Sequence, residues 1–194
     1  MNAIHLALDA LFTRYINLVK EETNELPCVK FNPPWPSPCD VKQVEHTESK
    51  SDEEDHLCYW KPVSRVNHEL FNELEKALEL SFRDDFKQFY GSFWSNGICV
   101  EREDINFSLI QIWNEEDQEK LKENILGHAF AKLKSKQALS YFIGCTFGED
   151  VICIDHESGE VVLEKPGRKA HKVLAPSLEI FLLSLSPTLD EYNG

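Results

Sequence analysis

Two triplets of carboxylates flank one predicted strand in this chain of 194 residues. The triplets are Glu101, Glu103 and Asp104, and then Glu115, Glu116 and Asp117. Glycosidase-like catalysis needs two carboxyl groups within about 5–10 Å of each other. The strand predicted between the triplets, residues 106–113, would separate them by roughly 26 Å at ~3.3 Å per residue. This spacing favours a binding surface, and a solvated acidic edge that deters strand pairing is the alternative.

One thiol and one imidazole, Cys153 and His156, are close enough in sequence to suggest a nucleophile and its base. Residues three apart on a strand and turn point to different faces, however, and no third group is assigned to orient the imidazole. We therefore expect Cys153 to be a core cysteine. The sequence also lacks the GxGxxG, GxxxxGKS/T, HExxH and GxSxG patterns. We predict no catalytic residue and no enzymatic activity.

Residues of metal-ligating type occur in one loop and one helix. His46 and His56 flank four carboxylates in residues 46–56, which could hold a divalent cation loosely. This segment has no apolar residue, so we expect a mobile loop rather than a preformed site. His128 is expected to be a core or helix-surface histidine, and the six scattered cysteines to be reduced thiols. We predict no metal and no cofactor.

Hydrophobic periodicity predicts the elements that precede the carboxylates. A helical stripe covers residues 2–22, and the proline-rich residues 32–39 forbid helix and should cross the surface as an extended strap. The next predicted elements are a strand over residues 57–60, a helix over residues 67–80 capped by Asn67, and an aromatic helix over residues 83–90. The aromatic side chains of the last helix, with Phe82 just before it, are expected in the core.

The carboxylates themselves fall on a predicted hairpin and helix. A period of two predicts strands over residues 98–101 and 106–113 around a polar turn at residues 102–104. Asn114 should cap the following helix, whose buried line would be Leu121, Ile125, Ala129 and Leu133. The remaining predicted elements are strands over residues 139–147, 151–155 and 160–164 and a helix over residues 174–185. This order predicts an α+β fold with helices packed on one antiparallel sheet.

The charge of the chain excludes several kinds of partner. There are 34 acidic and 20 basic side chains, a formal net charge of −14, and residues 1–117 hold 23 of the acids and 11 of the bases. Nucleic-acid phosphates and anionic lipid headgroups repel such a protein. No apolar run approaches the roughly 18 residues of a membrane-spanning helix. We expect a cytosolic protein that neither binds nucleic acid nor inserts into lipid; an acidic surface that serves only solubility is the alternative.

Short motifs in a fixed order along nearly the whole chain resemble one known family. They are Pro36-Ser37-Pro38-Cys39, Tyr59-Trp60-Lys61-Pro62, the run from Gln111-Ile112-Trp113 to Gly127-His128, Phe147-Gly148-Glu149-Asp150, Ser158-Gly159-Glu160-Val161 and Leu174-Ala175-Pro176-Ser177. The family is that of the Syd proteins, which interact with the translocon channel protein SecY in the bacterial cytosol. These motifs are diagnostic of the family rather than catalytic.

The resemblance implies a SUKH-like binding scaffold attached peripherally to the cytoplasmic side of the inner membrane through SecY. It also implies a role in monitoring or restraining abnormally assembled translocon, with a concave acidic surface as the contact. The candidates for that contact are Glu101, Glu103, Asp104, Glu115, Glu116, Asp117, Glu149 and Asp150. Cytosolic loops of membrane proteins are rich in Lys and Arg, whereas the leaflet around them is anionic, so an acidic scaffold should select the loops.

We predict a monomer with a single domain over residues 1–187 and a C-terminal tail over residues 188–194. The tail and the acidic loop at residues 46–56 are the two features that depart from the family pattern. A SUKH-type immunity protein that neutralises a basic toxin is the alternative function. An enzyme that uses Cys153 or the carboxylates is the third hypothesis.

Overall fold

The computed structural model describes residues 2–30, 32–44, 57–67 and 69–189. The predicted mobile loop at residues 46–56, with His46 and His56, lies outside the described residues. The last five residues of the predicted tail also lie outside them.

Strands in the described residues form three sheets. The first five strands are β1 (Cys28–Lys30), β2 (Asp40–Val44), β3 (Leu57–Trp60), β4 (Val63–Ser64) and β5 (Phe93–Trp94). The next seven are β6 (Ile98–Arg102), β7 (Ile105–Leu109), β8 (Ser140–Thr146), β9 (Val151–Asp155), β10 (Val161–Glu164), β11 (Ala170–Ala175) and β12 (Ser186–Pro187). The order is β1-β3-β2 in the small sheet and β11-β10-β9-β8-β7-β6-β12 in the main sheet, while β4 pairs with β5. All these pairings are antiparallel.

Helices pack against these strands and against one another. They are α1 (Ala3–Thr23), α2 (Asn72–Leu78), α3 (Asp84–Gly91), α4 (Glu115–Lys134) and α5 (Leu178–Leu183). The α1 helix begins where the Asn2 side chain accepts a hydrogen bond from the His5 backbone N–H at 2.8 Å. It contacts α3 and α5, whereas α4 lies against β8 and α2. The predicted single-domain α+β class is confirmed.

One continuous hydrophobic core joins the helices to the main sheet. Phe82, Phe86, Phe89 and Tyr90 are each at most 3% exposed, so their predicted place in the core is confirmed. Phe82 and Phe86 both contact Tyr141 of β8, with ring centroids 4.8 Å apart. Burial of each such side chain contributes about 1.5–3 kcal/mol, which fixes α3 against the sheet.

Two predicted helix starts are wrong, each for a local reason. The α2 helix begins at Asn72 rather than at residue 67, because the Asn67 side chain accepts the Glu69 backbone N–H at 3.2 Å and forms a turn. The last helix begins at Leu178 rather than at residue 174. Pro176 holds the residue before it in extended backbone, so the preceding residues complete β11, and Ser177 caps the helix.

The second hairpin strand is shorter than predicted, because β7 ends at Leu109 rather than at residue 113. Leu109 pairs with Ile98, the first residue of β6, so the ladder between the two strands ends there. Beyond that pair the backbone bonds to other segments: the Ile110 N–H donates to the Ile143 carbonyl, and the Ile112 carbonyl accepts from the Ser95 N–H, both at 2.9 Å.

The buried line of α4 differs from the prediction at its last position. Leu121, Ile125 and Ala129 are buried as expected, but Leu133 is 48% exposed and Lys132 is only 2% exposed. With 3.6 residues per turn, either the third or the fourth residue after Ala129 can face the sheet. The carboxylate of Glu164 lies on that side and binds the lysine.

Candidate functional site

The second carboxylate triplet forms the first turn of α4. The Asn114 side-chain oxygen accepts the Asp117 backbone N–H, and the Asp117 carboxylate accepts the Trp113 backbone N–H, both at 2.9 Å. These two hydrogen bonds cap the helix, so Asp117, which is half-buried, has a structural role. Glu115 and Glu116 are exposed on the same turn, where the helix dipole favours negative charge.

Two hydrogen bonds join the proline-rich residues 32–39 to the start of this helix. The Ser37 hydroxyl donates to the Trp113 carbonyl at 2.5 Å, and the Asn114 amide donates to the Pro36 carbonyl at 3.0 Å. The segment therefore lies against α4 and contains turns at residues 33–34 and 38–39, instead of running extended throughout as predicted.

Three of the motifs that carry the family resemblance meet at this point. Trp60 of β3 is 1% exposed and meets Trp113 edge-on, with ring centroids 6.1 Å apart. Pro36 and Asn114, which are joined by a hydrogen bond, are 78 residues apart in sequence. The family-diagnostic residues at this point thus hold the N-terminus of α4 in place.

The first carboxylate triplet lies on the β6–β7 hairpin. Glu103 and Asp104 have positive φ values of 48° and 65°, which is the backbone of a two-residue type I′ turn. Glu103 pairs with Arg102 at 2.9 Å, and the Arg102 side chain also donates to the Ser184 hydroxyl at 2.9 Å. Glu101, Glu103 and Asp104 are all exposed, so the hairpin presents them to solvent.

Glu149 and Asp150 are brought to the same end of the sheet as this hairpin tip. Phe107 of β7 pairs with Thr146 of β8, so the antiparallel register places the residues before Phe107 beside those after Thr146. The Glu149 carboxylate accepts a hydrogen bond from Lys165 at 2.7 Å, which lowers the pKa of Glu149. We call Glu101, Glu103, Asp104, Glu149 and Asp150 the hairpin group.

Glu115, Glu116 and Asp117, here called the helix group, lie beyond the opposite end of β7. The five residues of β7 span roughly 16 Å at ~3.3 Å per residue, and an irregular segment follows before α4. The two triplets therefore do not form a catalytic pair of carboxyl groups. Within the described ranges, no ion pair reaches Glu101, Asp104 or Glu115.

A different set of ionisable residues is buried between α4 and the sheet. The Lys132 ammonium donates to the Glu164 carboxylate at 2.8 Å, and the Ser140 hydroxyl donates to its other oxygen at 2.9 Å. His128 lies 3.3 Å from the Ser140 oxygen and 3.5 Å from Glu164. Lys132 and Glu164 are at most 2% exposed, so the pair is sealed from solvent.

His128, Cys153 and Glu164 could hold a metal ion by donor type, since one ligand atom from each lies within 4.8 Å of the others. The arrangement is nevertheless that of a satisfied ion pair, because Lys132 and Ser140 already bind both Glu164 oxygens. Burial also raises the pKa of the Cys153 thiol, which disfavours the thiolate that a metal requires.

The structure separates Cys153 from His156. Cys153 is fully buried beside Glu164 and Ser140, whereas the His156 imidazole is hydrogen-bonded to the Tyr141 hydroxyl. The two side chains therefore do not form a nucleophile and base, as the alternation of faces along the strand predicts.

The site residues predicted from the sequence did not include four that matter here: Trp35, Trp113, Lys132 and Glu164. A tryptophan between two prolines and another directly before a helix cap are weak signals for Trp35 and Trp113. The pairing of Lys132 with Glu164 joins residues 32 positions apart, and no local pattern indicates it.

Comparisons with known proteins agree on one family. The family model described as "Syd protein (SUKH-2)" matches residues 5–187. The chain is 40% identical to Protein Syd of Hahella chejuensis, over 96% of this chain and 95% of that protein. It is 34% identical to Protein Syd of Pseudoalteromonas atlantica (96% and 97%) and 33% identical to that of Pseudoalteromonas translucida (94% and 98%). In the described part of the chain, no helix has the length and hydropathy that crossing a bilayer requires.

Proposed function

The chain belongs to the Syd family, and from this membership we propose that it is a non-enzymatic regulator that binds SecY. Its acidic surface docks on basic cytosolic loops of the channel, at the cytoplasmic face of the inner membrane. The protein acts as a monomer, and molecules that are not bound to SecY are in the cytoplasm. Its role is to restrain or monitor abnormal SecY complexes.

The exposure of Glu115 and Glu116 is the observation that carries this proposal. They stand on a helix start whose backbone is fixed by its cap and by the proline-rich segment, so the two side chains project from a fixed turn. The hairpin group adds four exposed carboxylates at the other end of β7, and its fifth, that of Asp150, is half-buried. Basic loops next to an anionic leaflet are the polypeptides that such a surface attracts.

The test is co-sedimentation with membrane vesicles that contain SecY complexes. A Glu115→Lys/Glu116→Lys variant should lose binding, whereas wild type should bind these vesicles and not vesicles of the same lipids without SecY. Asp117 stays unchanged, because its carboxylate caps α4. The circular-dichroism spectrum should not change.

The matched control is Glu21→Lys/Glu22→Lys, two adjacent exposed acids at the end of α1. This variant has the same change in net charge, so it should bind SecY vesicles like wild type. Equal loss in both variants would show that total charge, not the helix group, drives binding. Full binding by the first variant would contradict the assigned surface, and capture of a basic toxin in place of SecY would favour the immunity role.

A further inference from the structure

A small cleft lies where the proline-rich segment meets the start of α4. Its volume is about 320 Å³, and its lining includes Trp35, Trp113, Asp117, Asn32, Asn96 and Lys30. The cleft thus combines two indole side chains, one carboxylate, two side-chain amides and one ammonium group. Aromatic faces beside a carboxylate and amide carbonyls are the groups that recognise a guanidinium.

One of the two indoles already carries a cation. The Lys120 ammonium lies over the Trp35 ring, 3.9 Å from its centroid, and 3.5 Å from the Glu116 carboxylate. Trp is the side chain whose face attracts cations most strongly. The contact shows that a basic side chain of α4 can lie over this ring.

The second indole and the carboxylate are held in place. Trp113 is packed against the buried Trp60, and its backbone N–H binds one Asp117 carboxylate oxygen at 2.9 Å. Within the described part of the chain, no hydrogen bond reaches the other oxygen, Oδ1. Asp117 thus caps the helix with one oxygen, and its second oxygen remains available as a hydrogen-bond acceptor.

The cleft lies at the acidic first turn of α4. Of its lining residues, Lys30 and Asp117 carry charge, and the exposed carboxylates of Glu115 and Glu116 lie on the same turn as Asp117. A planar guanidinium can stack on an indole and donate several hydrogen bonds at once, whereas an ammonium is a point charge. Arginine therefore suits this lining better than lysine.

We propose that this cleft binds one arginine side chain of the basic partner, stacked on an indole face and hydrogen-bonded to the Asp117 carboxylate. The proposal rests on the proposed function, because it names the side chain that the acidic surface receives. Lys120 is then an internal competitor for the Trp35 face, and removing it should strengthen binding.

The test uses a short peptide whose single charged side chain is a central arginine, and the same peptide with citrulline, which has nearly the same shape but no charge. The indole N–H signals of Trp35 and Trp113 should shift in NMR spectra with the arginine peptide only. Trp94, which already stacks with Arg65 at 3.7 Å, should keep its signal and serves as the internal control.

Two variants then measure the contribution of the ring. Trp35→Leu should lower the affinity for the arginine peptide about three- to tenfold, which is the range of a cation–π contact. Lys120→Met should raise this affinity. Lys120 is exposed, so the second variant remains informative if the first does not fold. Equal affinity for both peptides, or no effect of Lys120→Met, would overturn the proposal.

The result also separates the two proposals. If Trp35→Leu binds SecY vesicles like wild type while Glu115→Lys/Glu116→Lys does not, the cleft is not an arginine site and the proposed function stands. If the arginine peptide binds the cleft but wild type ignores SecY vesicles, the cleft proposal stands and the assigned partner is wrong.

Discussion

At the scale of single residues, the buried pair of Lys132 and Glu164 is the feature with the largest expected effect on stability. Both side chains are out of contact with water, and the pair joins α4 to β10. A buried ion pair is a weak source of net stability, but removing one partner leaves an uncompensated charge in the core.

Lys132→Met should therefore lower the free energy of unfolding by about 3–5 kcal/mol. Urea unfolding followed by circular dichroism measures this loss. Lys134→Met is the matched control, because Lys134 is exposed two residues further along α4. A double Lys132→Met/Glu164→Leu variant should recover part of the loss. A cost below about 1 kcal/mol would mean that the pair is solvated.

His128 should make stability depend on pH. Burial lowers the pKa of His128 from its ordinary value of 6.5, although the Glu164 charge opposes the shift. The unfolded chain then binds the proton more readily than the folded one, so stability falls as the pH drops from about 6.5 towards the folded-state pKa. Below the folded-state pKa, protonation of His128 causes no further loss of stability.

The measurement compares urea midpoints of wild type and His128→Gln at about pH 7.5 and about pH 5.5. Wild type should lose more stability on acidification than the variant, because glutamine does not titrate. The same loss in both proteins would assign the acid sensitivity to other groups.

At the scale of elements, the β6–β7 turn combines strained backbone with exposed charge. Its two central residues, Glu103 and Asp104, hold left-handed φ values that favour Asn and Gly. Glu103→Asn/Asp104→Gly should raise the free energy of unfolding by about 0.5–1 kcal/mol, as measured in urea. Glu101→Asn, one residue before Arg102 in extended β6, is the control and should not stabilise.

The turn variant also separates folding from binding. It removes two carboxylates of the hairpin group while strengthening the fold, so weaker binding to SecY vesicles could not be caused by unfolding. Binding equal to wild type would remove Glu103 and Asp104 from the proposed contact. A destabilised variant would contradict the type I′ assignment.

The α4 cap shows why charge alone is a poor guide within an element. Three consecutive acids look equivalent in sequence, but Glu115 and Glu116 face solvent while Asp117 binds the Trp113 N–H. Replacing a carboxylate that completes a cap with a basic side chain should therefore cost about 1 kcal/mol or more of helix stability.

At the scale of the whole molecule, a net charge of −14 should make binding dependent on ionic strength. Binding to SecY vesicles should weaken steadily as salt is raised from about 0.05 M to about 0.5 M, because the screening length shortens from over 10 Å to roughly 4 Å. The association rate should fall more than the dissociation rate rises. Affinity that is independent of salt would contradict an electrostatic contact.

The sequence by itself determined the class of fold and most of its elements, because hydrophobic period, caps and prolines act within a few residues. The Asn114 cap of α4, the strand Val151–Asp155 and the buried aromatic side chains of α3 follow from such local signals. The family was also readable from motifs in sequence order. The early end of β7, by contrast, depends on where the partner strand begins.

Only the tertiary structure decided which groups share a site, because those contacts join segments that are far apart along the chain. It placed Trp35 and Trp113 in one cleft, brought Glu149 beside the hairpin tip, and turned Lys132 inward to Glu164. It also divided the helix group between solvent and the cap. Local sequence patterns give the direction of a side chain within its own element, but its neighbours are set by how the elements pack.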